Sequence, residues 1–238
     1  MEPAAGAEPL VLLPGMMCDA RLFGPQIAAL SRERAVMAAP VHGAATVEAL
    51  AAAVLTAAPA RFALAGLSMG GIVAMEVARQ APARVARIAL MDTNPLAETE
   101  AVAARREPQI ARVRGGALRE VMVGEMKPSY LAPGPRRAEV LDLVLDMALA
   151  LGPEVFEAQS RTLMARPDQR EALRALRIPA LILCGRHDAL CPLRRHEMMA
   201  ELIPGAELVV IEAAGHLPTL ETPDEATAAL AAWLARPA

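Results

Sequence analysis

The 238-residue sequence predicts an α/β fold: a doubly wound, mostly parallel sheet of about six or seven strands carrying an inserted helical segment. Three observations carry this expectation. Six short apolar runs alternate with longer helix-like stretches. The third run turns abruptly into a helix through a serine flanked by glycines. One long interval, residues 94–176, holds helix-like segments and no strand.

The apolar runs occupy residues 9–14, 33–40, 61–66, 86–92, 179–185 and 207–214. Each is only a handful of residues long and bounded by Pro, Gly or charge, as buried parallel strands tend to be. Between them, residues 46–58 read as a helix opened by Thr46, and residues 69–81 form a helix directly after the third strand. Residues 193–205 read as a helix between the last two strands. Thr222, Pro223 and Glu225 form a capping-box pattern that starts a final helix through Leu230 and Trp233. These elements assign residues 1–93 and 177–238 to one sheet-based core. The interval 94–176, punctuated by Pro128, Pro133, Gly134, Pro135, Gly152 and Pro153, is expected to form a helical cap over the sheet edge.

Composition narrows the function. Hydrophobic residues make up 55% of the chain, much of it alanine. No apolar stretch reaches the roughly 18 residues of a spanning helix, so no membrane association is expected. The opening MEPAAGAEPL lacks a basic leader pattern and reads as the approach to a first strand, which predicts a cytoplasmic protein. A net charge of −3 and an aromatic content of 2% argue against nucleic acid as a partner. Cys18, Cys184 and Cys191 are odd in number and irregularly spaced, which suits neither a disulfide framework nor a zinc site. No metal and no organic cofactor is expected; a small molecule is the expected partner.

The chemistry centres on Gly66-Leu67-Ser68-Met69-Gly70. The pattern G-x-S-x-G between a strand and a helix marks a sharp turn that exposes a nucleophilic serine. Glycines two before and two after let strand and helix approach closely. On its own the pattern also fits a glycine-rich turn with a serine N-cap. Its partners should follow in the order acid, then histidine. Asp188 stands just past the strand at 179–185, and His216 just past the strand at 207–214. Parallel strands put both at the same sheet edge as Ser68, where ligands bind in open α/β sheets. Asp92, at the end of another strand, is the rival acid, and Asp188 has the bland alternative of a helix N-cap. Among the other histidines, His187 should point away, His196 should be solvated within a charged helix, and His42 should border the site. The Pro14-Gly15 turn offers backbone amides to a developing oxyanion: Met16 first, Met17 second, joined by Met69 after the nucleophile. Met17 and His42 are the expected substrate contacts.

The segments LLPG, GLSMGG, GRHD and AGHLPTLETPDE together resemble the α/β-hydrolase superfamily, in particular small capped members such as enol-lactonases, carboxylesterases and pimeloyl-ester hydrolases. The resemblance spans almost the whole chain outside residues 94–176. It implies an α/β-hydrolase core, a triad of Ser68, Asp188 and His216, and oxyanion amides at Met16 and Met69. It also implies hydrolysis of a carboxylic ester, thioester or lactone of a small molecule through an acyl-serine. C–C bond hydrolysis and acyl transfer are the alternative chemistries on this fold, and ligand binding without catalysis is the alternative class. Pro14-Gly15 departs from the His-Gly pair of many relatives. Within residues 94–176, Arg105, Arg112 and Arg119 recur at sevens and are expected on one helical face with Arg106 and Arg114 nearby. That face suits either solvent or an acidic group: a carboxylate, a phosphate or an acidic carrier.

Overall fold

The computed structural model describes residues 7–126 and 130–237; Pro128 and the first six residues of the expected core lie outside them. The strands are β1 (Leu10–Leu13), β2 (Val36–Ala38), β3 (Phe62–Leu67), β4 (Val85–Met91), β5 (Ala180–Gly185) and β6 (Glu207–Ile211). They form one six-stranded sheet in the order β2-β1-β3-β4-β5-β6, with every pair parallel. Each run read from the sequence overlaps one strand; β3 ends one residue later, and β4 begins one residue earlier, than the runs at 61–66 and 86–92.

The apolar runs need no polar alternation because both faces of the sheet are covered. Val11, Leu13, Leu64, Ile88, Leu90 and Ile182 enter one core, while Leu10, Leu12, Ala65, Ala89, Leu181 and Leu183 enter the other. Successive side chains of one strand thus serve opposite cores. The first core lies under α2 (Val47–Ala57), α3 (Met69–Gln80) and α9 (Leu193–Leu202). The second lies under α1 (Gly24–Leu30) and α11 (Pro223–Ala235), whose Trp233 is fully buried. Thr46 caps α2 as its sequence predicts, its Oγ1 accepting from the Ala49 amide at 3.1 Å. Thr222 precedes Pro223 at the start of α11 but makes no capping box. A short helix, α10 (Pro218–Glu221), runs directly into it, and the Thr222 hydroxyl donates to the Pro218 carbonyl.

Among the described residues, five helices join β4 to β5: α4 (Glu100–Arg114), α5 (Leu118–Val121), α6 (Arg137–Leu151), α7 (Pro153–Met164) and α8 (Arg170–Ala175), with a turn of π-helix after α5. α4 packs on α7, and α6 on α7. α8 instead packs beside α3 and α9, within the helical layer of the sheet.

The strand order reverses between β1 and β3, with β2 on the far side of β1. A cleft opens at such a reversal, outside the carboxyl ends of the strands. The loops after β1 and β3 meet there. Among the described residues, the non-glycine residues with positive φ are Met17 (56°), Ser68 (55°) and Asp92 (43°), each just beyond the end of β1, β3 or β4. Backbone strain of this kind costs about 1–3 kcal/mol per residue and persists where the surrounding packing enforces it. No helix among the described residues is long and apolar enough to cross a membrane.

Candidate active site

Ser68 sits at the tip of the turn between β3 and α3, with φ 55° and ψ −117°. The glycines around it are steric necessities. A Cβ on Gly66 would lie 2.3 Å from the Gly70 carbonyl oxygen, and one on Gly70 would lie 2.0 Å from the Leu13 oxygen. Strand, turn and helix could not close against β1 with side chains at those positions. The turn is also tied down from β4: Thr93 Oγ1 donates to the Ser68 carbonyl at 2.7 Å.

Ser68 and His216 line one cleft of about 430 Å³, within the range of small-molecule sites. His216 Nδ1 is 2.8 Å from Asp188 Oδ2, and both side chains are almost completely buried. The described hydrogen bonds include none between Ser68 Oγ and the imidazole; in sites of this kind such bonds commonly tighten only with substrate present. The second Asp188 oxygen, Oδ1, accepts from the amides of Leu190 (2.8 Å) and Cys191 (2.9 Å). Burial alone would raise the Asp188 pKa, but the facing His216 and the two amides outweigh it and hold the carboxyl below its ordinary value. Asp188 therefore caps its own loop, while α9 begins later, after Pro192.

Asp92, the rival acid, is completely buried and accepts from the Gly185 amide at 2.9 Å, with its other oxygen unpartnered. Burial, reinforced by the neighbouring Asp188 charge, drives its pKa far up, so it is a neutral carboxylic acid beside an ionised one.

Several residues outside the expected site hold this arrangement. His196 is buried, not solvated as expected, because α9 turns that position inward against β4. Its Nε2 accepts from the Thr93 amide at 3.1 Å, and burial pushes its pKa down to about 4. It is a neutral acceptor that supports the residue bracing the serine turn. Glu221 accepts from the amides of Ala132, Gly215 and Leu217, which fixes the loop carrying His216. Gln159 of α7 accepts from the Met17 amide at 2.8 Å and donates to the Val41 carbonyl at 3.0 Å, joining the loops after β1 and β2. A long-range partner of this kind leaves no mark in local sequence.

Of the expected substrate contacts, Met17 is fully buried in the core, and His42 lines a separate cavity of about 200 Å³ with Pro14, Cys18 and Pro40. Neither lines the cleft beside Ser68, because the positive φ at Met17 turns its side chain inward. Met16 and Met69 do line it. His187 is exposed and does not line the cleft. The seven-spaced arginines do not share a helix: α4 ends at Arg114, Gly115 and Gly116 follow, and Arg119 lies on α5. Arg112 is half exposed and pairs with Glu125, and Arg114 pairs with Glu157. Arg105 and Arg106 line the cleft.

Asp188, Cys191 and His216 bring three potential metal donors within 4.8 Å of one another. The donor chemistry is poor for a metal. Burial and the ionised Asp188 carboxylate push the Cys191 thiol well above its ordinary pKa, which disfavours the thiolate a metal would need, and the Asp188–His216 pair already satisfies its facing atoms. Among the described residues no disulfide joins Cys18, Cys184 or Cys191.

Comparison with known proteins agrees with this architecture. The chain matches the pimeloyl-[acyl-carrier protein] methyl ester esterase of Aromatoleum aromaticum with 30% identity over 210 residues, covering 79% of this chain and 82% of the relative. Its fold superposes on a thermophilic esterase of Thermogutta terrifontis, solved with malate bound, with a TM-score of 0.86 and 32% identity, covering 95% of this chain and 89% of that one. The enol-lactonase of Burkholderia xenovorans superposes with a TM-score of 0.87 and 25% identity over 99% and 94% of the two chains. A family model described as the alpha/beta hydrolase family matches residues 10–230, and with that span the chain belongs to this family.

Proposed function

We propose that this protein is a serine hydrolase that cleaves carboxylic esters, thioesters or lactones of small molecules through an acyl-serine intermediate. The observation that carries the reading is the 2.8 Å bond between His216 Nδ1 and Asp188 Oδ2, made in the cleft onto which Ser68 opens. The ionised Asp188 keeps the imidazole proton on Nδ1, which leaves Nε2 free to accept the Ser68 proton as the hydroxyl attacks the ester carbonyl. The imidazolium formed at that moment is stabilised by the same carboxylate.

The tetrahedral oxyanion is received by two backbone amides, that of Met69 at the start of α3 and that of Met16. Met16 is preferred to Met17 because the Met17 amide is already taken up by Gln159. His216 then gives its proton to the leaving alcohol, and the acyl-serine remains. Water attacks in the second half, again with His216 as base, and releases the acid. The segment between β4 and α8, from which Glu98, Arg106 and Arg166 line the cleft, acts as the cap that shapes the substrate pocket. Esterase and lactonase relatives perform hydrolyses of this type, which favours ester cleavage over other chemistry on the fold.

The test is covalent labelling by a fluorophosphonate probe, combined with hydrolysis of p-nitrophenyl esters of graded chain length. The wild type labels and turns over esters; Ser68→Ala does neither. A wild type that resists the probe, or a Ser68→Ala protein that still labels, would overturn the assignment.

A further inference from the structure

The cleft carries charge that ester hydrolysis does not require. Five arginines line it against two glutamates, in a chain whose net charge is −3. Two of these arginines are built in. Arg106 and Arg166 are only 14% and 11% exposed at the side chain, and both pair with the same carboxylate, Glu98, which is 0% exposed. Arg106 gives Nε and Nη2 to Glu98, at 2.5 and 3.2 Å; Arg166 gives Nη1 to it at 2.7 Å and Nε to the Leu96 carbonyl at 3.0 Å. One carboxylate thus serves two guanidinium groups, which leaves an uncompensated positive charge in a nearly dry wall. A buried charge without a counter-ion is costly, and a fixed one is a ready anion site.

The unused donors locate the site. Among the described residues Arg106 Nη1 meets only the Met16 thioether, at 3.8 Å, and Arg166 Nη2 has no hydrogen-bond partner. Met16 borders the oxyanion position assigned above, so the free face of Arg106 lies within a side chain's length of the reacting carbonyl. Arg195 adds to the same field: together with burial and Arg106 it opposes the charge on Arg166 and lowers its pKa, while Glu98 supports that charge. The near-burial of Arg106 and Arg166 excludes a protein surface as the group they bind. A carboxylate at the end of a short flexible chain reaches them.

Resting on the hydrolase reading, we propose that the substrate is an ester bearing a free carboxylate a few carbons from the scissile carbonyl, held by Arg106 and Arg166 as oriented by Glu98. Hydrolysis of such a monoester consumes one water and releases the alcohol and a dicarboxylate.

The experiment compares methyl hydrogen glutarate with methyl 4-carbamoylbutanoate, which has the same shape but carries a neutral amide. At low salt kcat/KM for the anionic ester exceeds that for the amide by about tenfold or more, the factor expected of one charge-assisted hydrogen bond, and the ratio shrinks as salt screens it. Arg166→Met lowers the ratio towards one. Should that variant not fold, inhibition of the wild type decides: glutarate competes with p-nitrophenyl acetate at concentrations where glutaramide does not. A ratio near one in the wild type, or equal inhibition by glutarate and glutaramide, overturns the proposal. So does inhibition by polyglutamate without inhibition by glutarate, which would put the anion site on the exposed surface. If no ester is turned over and no probe labels, the hydrolase reading fails by itself. Calorimetry with glutarate then still decides the anion site, saturable binding supporting it and none refuting it.

Discussion

Replacing Asp188 by asparagine tests the triad at its most informative atom. The substitution is isosteric, and the question is which way the amide faces. Oδ1 of Asp188 accepts two backbone N–H groups, from Leu190 and Cys191, at 2.8 and 2.9 Å. Turning the new NH₂ towards those donors would strand both at about 1–3 kcal/mol each. The amide therefore keeps its oxygen on the loop and presents its NH₂ to His216 Nδ1. As a donor, it forces Nδ1 to accept, which moves the imidazole proton to Nε2, the atom that must take the Ser68 proton. The fold is preserved while the base is switched off. A wrong tautomer in a triad of this kind costs about 10⁴-fold in kcat, or about 5 kcal/mol of transition-state stabilisation. The assay is the steady-state rate on p-nitrophenyl acetate with thermal unfolding as control. A drop of less than about tenfold in a folded variant would refute both the tautomer argument and the choice of Asp188.

Two further predictions use the neighbouring buried groups. Asp92→Asn should change kcat by no more than about threefold, since Asp92 is already neutral and an amide oxygen still accepts from Gly185; a loss like that of Asp188→Asn would make Asp92 the catalytic acid. Because the folded pKa of Asp92 is raised, its contribution to stability is full below the unfolded value of about 3.9 and is lost as pH rises through the folded value. The melting temperature of Asp92→Asn should therefore gain on the wild type between pH 4 and 8. His196 shifts the opposite way, from 6.5 to about 4, so the stability it contributes is present above 6.5 and is lost as pH falls through that window. The linkage is worth about 3 kcal/mol at most, and His196→Asn should flatten the decline in melting temperature between pH 6.5 and 4.5. An unchanged slope would place His196 in solvent.

How much of this was legible beforehand depended on how local each cause was. G-x-S-x-G is a steric statement about five consecutive residues, so Gly66, Ser68 and Gly70 announce their turn directly. Asp188 and His216 could be found because both follow strands, and parallel strands send their carboxyl ends to one edge. The helix N-cap at Thr46 is likewise a contact over three residues. The capping box at Thr222 failed for want of tertiary information: α10 supplies a competing carbonyl from Pro218.

Sequence by itself determined the strands, the strand-to-helix turn at Ser68 and the placement of Asp188 and His216 just past two parallel strands, because periodicity and glycine spacing act through neighbouring residues. Only the tertiary structure decided the rest. It buried His196 beneath Thr93, turned Met17 inward onto Gln159, split the seven-spaced arginines at Gly115 and Gly116, and folded Arg106 and Arg166 around a single Glu98. Each of those outcomes joins groups far apart in the chain, where burial and the pairing of charges, not local pattern, choose the partner.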